Sequence, residues 1–128
     1  MVLTAIKPDK MPLLSTWKIL GQHKIEGIGD DFIPKLVKKE RIDKILQIND
    51  DAVNMARKLS KELGLGVGIS SGANFIGSIL LANEIENNVV TVFADDNKKY
   101  LSTDLIKDID LNKEFRSNSI ELINYDII

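Results

Sequence analysis

The residues able to do chemistry concentrate where glycines meet hydroxyls and carboxylates. The densest stretch is Gly64-Leu65-Gly66-Val67-Gly68-Ile69-Ser70-Ser71-Gly72-Ala73-Asn74-Phe75. Its glycines let a backbone approach a ligand closely. Ser70-Ser71-Gly72 opens an apolar, helix-like run, and hydroxyls with free N–H groups there can hold a phosphate, a carboxylate or a ring nitrogen. Plain N-capping explains the same residues. Gly27-Ile28-Gly29 is too short for a dinucleotide fingerprint, and a tight turn accounts for it equally well. Of the three aspartate pairs, Asp30/Asp31 and Asp50/Asp51 stand at expected helix starts, where carboxylates cap and oppose the macrodipole. Asp95/Asp96 follows an apolar run and is open to acid–base or metal work. His23 is the only histidine. It has no nucleophile-elbow serine and no suitably spaced ligands, so it reads as a solvated loop residue and no metal site is expected.

Composition narrows the classes of function. The 128 residues suit one domain with one core. A 44% hydrophobic fraction fits a globular chain, and only 5% aromatics makes that core aliphatic. Seventeen basic and 19 acidic residues leave a net charge of -2, which gives no electrostatic reason for nucleic acid or an anionic membrane as partner. No apolar run is long enough to span a bilayer, and no signal-peptide core opens the chain. The sequence has no cysteine, so disulfides and thiolate chemistry are excluded. A cytoplasmic protein is the expectation.

The elements that position these residues follow from periodicity. Residues 2–6 read as a short strand ending before Pro8, and 7–21 as a long connection. Asp30 or Asp31 would cap a short helix through Val37. Residues 41–48 read as a strand. Over 50–63, Ala52, Met55, Ala56, Leu59 and Leu63 share one helical face, with Asn49 or Asp50 as cap and Gly64 as stop. A second helix is predicted from about Gly72 to Ala82. Residues 89–93, an apolar β-branched run, read as a strand buried on both faces. Strand and helix alternate, so the class is α/β with a largely parallel sheet. In such folds the crevice lies at the carboxyl ends of the strands, which places 27–29, 68–71 and 95–97 at one rim.

Four stretches in order carry a resemblance: His23-Lys24-Ile25-Glu26-Gly27-Ile28-Gly29, Phe32-Ile33-Pro34, Gly68-Ile69-Ser70-Ser71-Gly72-Ala73 and Tyr100-Leu101-Ser102-Thr103. Together they resemble the C-terminal part of cysteine synthase (O-acetylserine sulfhydrylase), a fold-type II pyridoxal-phosphate family, over residues 1–103. Residues 104–128 are then a C-terminal extension, with short edge strands at 120–123 and 125–128. The resemblance implies a three-layer α/β domain of the tryptophan synthase β type. It makes Ser70 the hydrogen-bond donor to the cofactor's pyridine nitrogen, with Ser71, Gly68 and Asp95 around it. A neutral hydroxyl there leaves the ring a weaker electron sink than a carboxylate would. Gly27, Ile28 and Gly29 become the substrate-facing loop. His23 and Lys24 fall where the family receives the C-terminal tail of serine acetyltransferase. Ala94 stands where the family has proline, and Asp96-Asn97 where it has Ser-Gly.

The family's Schiff-base lysine, substrate-carboxylate loop and phosphate loop have no counterpart in these residues. No catalytic residue is therefore expected here, and the chain reads as the C-terminal portion of the enzyme, inactive alone. In the complete enzyme the implied reaction replaces acetate on O-acetylserine by sulfide to give cysteine. The implied partners are the missing N-terminal portion and a second copy in a homodimer. Two alternatives stand beside this: a related β-replacing enzyme such as cystathionine β-synthase, and a non-catalytic module keeping the acetyltransferase docking surface.

Overall fold

A computed structural model gives the fold; it describes all residues other than 12, 17–20, 30 and 113 and the side chains of Ser15 and Thr16. Strand β1 (Thr4–Pro8) and strand β2 (Lys44–Ile48) pair in parallel, Thr4 opposite Lys44 through to Pro8 opposite Ile48. Both strands start later than their hydropathy suggests. Residues ahead of β2 are taken by a 3-10 turn at Lys39–Arg41. Pro8 closes β1, where its missing N–H costs little. Between the strands lies the short helix α1 (Leu13–Thr16).

Helix α2 (Asp51–Leu63) supplies the centre of the core. Ala52, Met55, Ala56 and Leu59 are completely buried, as their spacing requires. It stops at Gly64, whose φ of 70° lets its own N–H reach Ser60 O and that of Leu65 reach Leu59 O. At the other end the aspartates do not cap by side chain. Asn49 Oδ1 accepts the Asp51 N–H at 3.0 Å, which leaves both carboxylates for other work. Asp50 takes Lys10 Nζ and the Lys24 N–H, each at 2.8 Å. Asp51 is buried and accepts the N–H and hydroxyl of Ser117.

Helix α3 (Ile69–Ala82) crosses α2. It begins three residues before the predicted Gly72, because extended Gly68 offers its carbonyl to the Ser71 and Gly72 N–H groups without a side-chain cap. Gly72 is instead the point of closest approach between the helices. A Cβ built on it would lie 2.1 Å from Ala52 O and 2.8 Å from Ala56 N.

Four expected elements do not form. Residues 89–93 make no strand, and Val90 and Val92 are exposed. A β-branched run becomes a strand only beside another, and here the segment is held by α3 instead. Asn74 Nδ2 donates to Val92 O at 2.8 Å, and the Phe75 and Phe93 rings lie 6.4 Å apart. Residues 31–37 hold only a turn, Val37 N–H to Pro34 O at 2.9 Å, with Leu36 exposed; Asp30, the other proposed cap, lies outside the described residues. Residues 120–128 form no edge strands. The segment from 104 onward is tied to α2 by polar groups. Asn54 donates to Ser117 Oγ at 2.7 Å and accepts the Asp110 N–H at 2.7 Å, and Lys58 Nζ donates to Ser117 O at 3.0 Å.

Candidate functional site

The first turn of α3, the loop carrying Gly27 and the turn at 95–100 meet at one place. Gly27 adopts a φ of +88°, a backbone state that favours glycine. A Cβ built there would sit 3.8 Å from Tyr100 Oη and 3.9 Å from Ser70 Oγ, so the loop backbone lies directly over that hydroxyl. The loop is anchored by Ile25, which is fully buried. Ser70 retains slight exposure, and among the described residues its hydroxyl takes no hydrogen-bond partner. A neutral donor at a helix start, facing an open glycine backbone, is suited to a ring nitrogen or another acceptor.

Asp95 and Tyr100 form the wall beside it. The Tyr100 hydroxyl donates to Asp95 Oδ2 at 2.6 Å, and that bond, with burial, pushes the phenol up to about 12. Among the described residues Asp95 Oδ1 is buried without a partner, and it packs on Gly68, where a Cβ would lie only 2.0 Å from it. The turn is locked to the α3 entry by backbone as well, since Gly68 N–H reaches Asp95 O at 3.0 Å and Asn97 N–H reaches Gly66 O at 2.9 Å. Asp95 thus carries a carboxylate at the N-terminal end of α3, where the helix dipole favours negative charge.

Other predicted residues take different posts. Ser71 is completely buried and its hydroxyl has no partner among the described residues, so it faces the interior. Ile28 is half-buried and packs on the core. Gly29, with φ of +80°, presses on Pro8 at the carboxyl end of β1 and on His23. His23 is half-buried, which corrects the solvated reading. Its Nδ1 accepts the Ile25 N–H at 3.2 Å, so the ring proton sits on Nε2, 3.4 Å from Gly29 O. Lys24 pairs with Asp104, and Lys107 pairs with the same carboxylate. These two ammonium groups hold Asp104 down at about 2. Asp50 lies below its ordinary value despite burial that opposes this, because Lys10 and the Lys24 N–H bind its charged form.

The α/β class places 27–29, 68–71 and 95–97 at one rim; the structure brings Gly27, Gly68, Ser70 and Asp95 together, while Ser71 is buried and Gly29 lies against Pro8 and His23. It did not single out the Tyr100 hydroxyl or Ile25. Tyr100 lies five residues after Asp95 across a turn, and a lone isoleucine between polar residues carries no periodic signal.

No family model matches the chain. It is 44% identical over 105 residues to cysteine synthase B of Campylobacter jejuni, a match covering 80% of this chain and 34% of that protein. Among solved structures, a hydrogen sulfide-producing enzyme from Fusobacterium nucleatum superposes with a TM-score of 0.81 at 50% identity, over 91% of this chain and 35% of the other. Cysteine synthase from Entamoeba histolytica gives 0.80 at 35% identity, over 92% and 36%. The chain therefore spans about a third of the length of the curated relatives it matches.

Proposed function

Because this chain is homologous to one part of the cysteine synthases, pyridoxal-phosphate enzymes of fold type II, we propose that it forms the pyridine-nitrogen side of a cofactor site in such an enzyme. The complete enzyme would replace acetate on O-acetylserine by sulfide. The observation that carries the reading is the unpartnered Ser70 hydroxyl at the start of α3, under the Gly27 backbone and beside Tyr100. The donor set fits the group: Ser70 offers a neutral hydroxyl without a partner among the described residues, and the backbone facing it at Gly27 carries no side chain. When bound, the cofactor supplies the electron sink that lets a leaving group depart from the substrate's β-carbon.

Each residue's part follows from its geometry. Ser70 would donate a hydrogen bond to the ring nitrogen, its proton staying on Oγ, and so leave that nitrogen unprotonated. Gly27 would bring a backbone without a side chain over the same space. Asp95 and Tyr100 would fix the α3 entry so that Ser70 keeps its aim, and Asp95's charge would stay on the Gly68 side, shared with the Tyr100 hydroxyl. The lysine that binds the cofactor covalently and moves the substrate proton would come from the complementary part of the enzyme. Alone, the chain would bind the cofactor weakly and turn nothing over.

The test is complementation. The part of the Campylobacter jejuni enzyme outside the shared region is produced as a separate chain and mixed with this one, cofactor, O-acetylserine and sulfide. Cysteine forms with both chains and with neither alone. Ser70→Ala lowers the rate in the mixture and shifts the bound cofactor's absorbance. Turnover by the purified chain alone would overturn the reading, as would a Ser70→Ala mixture matching the parent in both rate and spectrum.

A further inference from the structure

Between the C-terminal half of α2 and residues 97–109 the surface opens into a pocket of about 340 Å³. None of Gly27, Ser70, Asp95 and Tyr100 lines it, so it is separate from the candidate site. Its floor is aliphatic: Ala56, Val67 and Leu105 are buried and Ile109 is half-buried. Leu101 and Ile106, both exposed, form the lip. No aromatic ring lines it. The volume falls at the small end of the roughly 300–1,000 Å³ typical of ligand pockets.

The charge of the lining runs against that of the chain. Three lining side chains are cations, Arg57, Lys61 and Lys107, against one acid, Asp108, whereas the whole sequence carries a net charge of -2. Lys107 pairs with Asp104. Among the described residues the other two cations have no carboxylate. Arg57 Nε and Nη2 both donate to the neutral backbone carbonyl of Asp104, Nε at 3.1 Å, and Lys61 takes no partner. Arg57 and Lys61 stand at i and i+4 on α2, where like charges face each other and weaken a helix. Their neighbour Lys58 shows the favourable arrangement, with Glu62 at i+4. An uncompensated cation pair above an aliphatic floor is the donor set for an anion with a hydrocarbon body.

We propose that this pocket binds a small organic carboxylate with an aliphatic tail, its carboxylate on Arg57 and Lys61 and its tail along Val67, Leu105 and Ile109. A planar ring finds no stacking partner there, and Asp108 opposes the second charge of a phosphate dianion. The bound tail would press on the turn that walls the candidate site. Val67 and Asp96 form an antiparallel bridge, and the Asn97 N–H holds Gly66 O at 2.9 Å. The site itself owes nothing to the cofactor reading.

NMR titration of the full chain with butyrate, hexanoate and octanoate tests it. Amides of 56–61, 66–67, 97 and 105–109 should shift and saturate. Affinity should rise about two- to fourfold with each added methylene. Hexylamine, with the same tail and the opposite charge, should bind about tenfold or more weakly than hexanoate. Lys61 is exposed, so Lys61→Glu folds as the parent does, and it should weaken hexanoate about tenfold or more. Arg57→Met should do the same. The absence of any saturable shift up to about 10 mM hexanoate overturns the proposal. So does hexylamine binding as tightly as hexanoate, which leaves the cations without a role, and so does inorganic phosphate binding more tightly than hexanoate. The titration needs neither cofactor nor complementary chain, so its failure leaves the proposed function standing, and a failed complementation leaves this site standing.

Discussion

Gly72→Ala is the sharpest test of how the site is held. The added methyl would stand 2.1 Å from Ala52 O, 2.8 Å from Ala56 N and 3.1 Å from Ala52 C. All three are backbone atoms of α2, so no side chain can swing away. A comfortable carbon–oxygen approach is about 3.3 Å, so the helices must part by roughly 1.2 Å. A gap of that size forfeits a quarter to a half of each dispersion contact along the crossing. That crossing is lined by Ala52, Met55, Ala56, Ala73 and Ile76, all essentially closed to solvent. Overpacking of this kind costs about 3 kcal/mol at its upper end, and the better helix propensity of alanine returns about 1 kcal/mol. The net is a loss of about 2 kcal/mol. With an unfolding entropy of about 2.1 cal/mol/K per residue, the chain should melt roughly 7 °C lower. Gly21→Ala is the control, because nothing lies within 4 Å of its added methyl; it should melt within about 2 °C of the parent. Thermal unfolding followed by circular dichroism reads both. A Gly72→Ala melting point at or above the parent's would refute the close helix crossing and, with it, the reason a glycine stands at position 72.

Other perturbations separate the remaining contacts. Tyr100→Phe removes a hydrogen bond to an ionised carboxylate and should cost about 1.5–3 kcal/mol in urea unfolding; in the parent this bond is fully present below the free phenol's pKa and is lost as pH rises toward about 12. Ser117→Ala strips the hydroxyl from buried Asp51 and from Asn54, and should cost about 2 kcal/mol or more and open residues 107–128 to proteolysis. Asp104 has its carboxyl lowered from 3.8 to about 2, so its two lysine pairs contribute fully above pH 4 and are lost as pH falls toward 2. Following the Asp104 carboxyl by NMR should give that low midpoint, and Lys24→Met should raise it; an unchanged midpoint would show that the Lys24 pair does not form in solution.

What the sequence made legible follows from where the signals are physical. Helix α2 could be read almost to the residue because five apolar positions repeat on one face and Gly64 marks the stop. The entry of α3 was misplaced by three residues because Gly68 caps with its carbonyl and advertises nothing in its side chain. Residues 89–93 carry the composition of a central strand, but a strand is a relation between segments and none of the described residues pairs with them. The C-terminal segment was opaque for a different reason. Its attachment runs through Asp51, Asn54 and Ser117, all buried, and hydropathy reads such residues as surface. Within the site, the glycine and serine positions were visible as a motif. The Asp95–Tyr100 hydrogen bond was not, since it depends on how the intervening 3-10 turn, Asn97–Tyr100, folds back.

The candidate site and the packing of α3 on β1 share one stripe of that helix. Ser70, Asn74, Gly77 and Leu81 fall at i, i+4, i+7 and i+11 on α3, the spacing of a single face. On that stripe Gly77 meets the Ile6 side chain of β1. Gly72 clamps the other side against α2. The Asp95 turn holds the helix entry, through the Gly68 N–H on Asp95 O and the Asn97 N–H on Gly66 O. These three supports fix the rotation of α3 about its axis, and so the direction in which Ser70 donates, a condition for selective binding of a ring nitrogen.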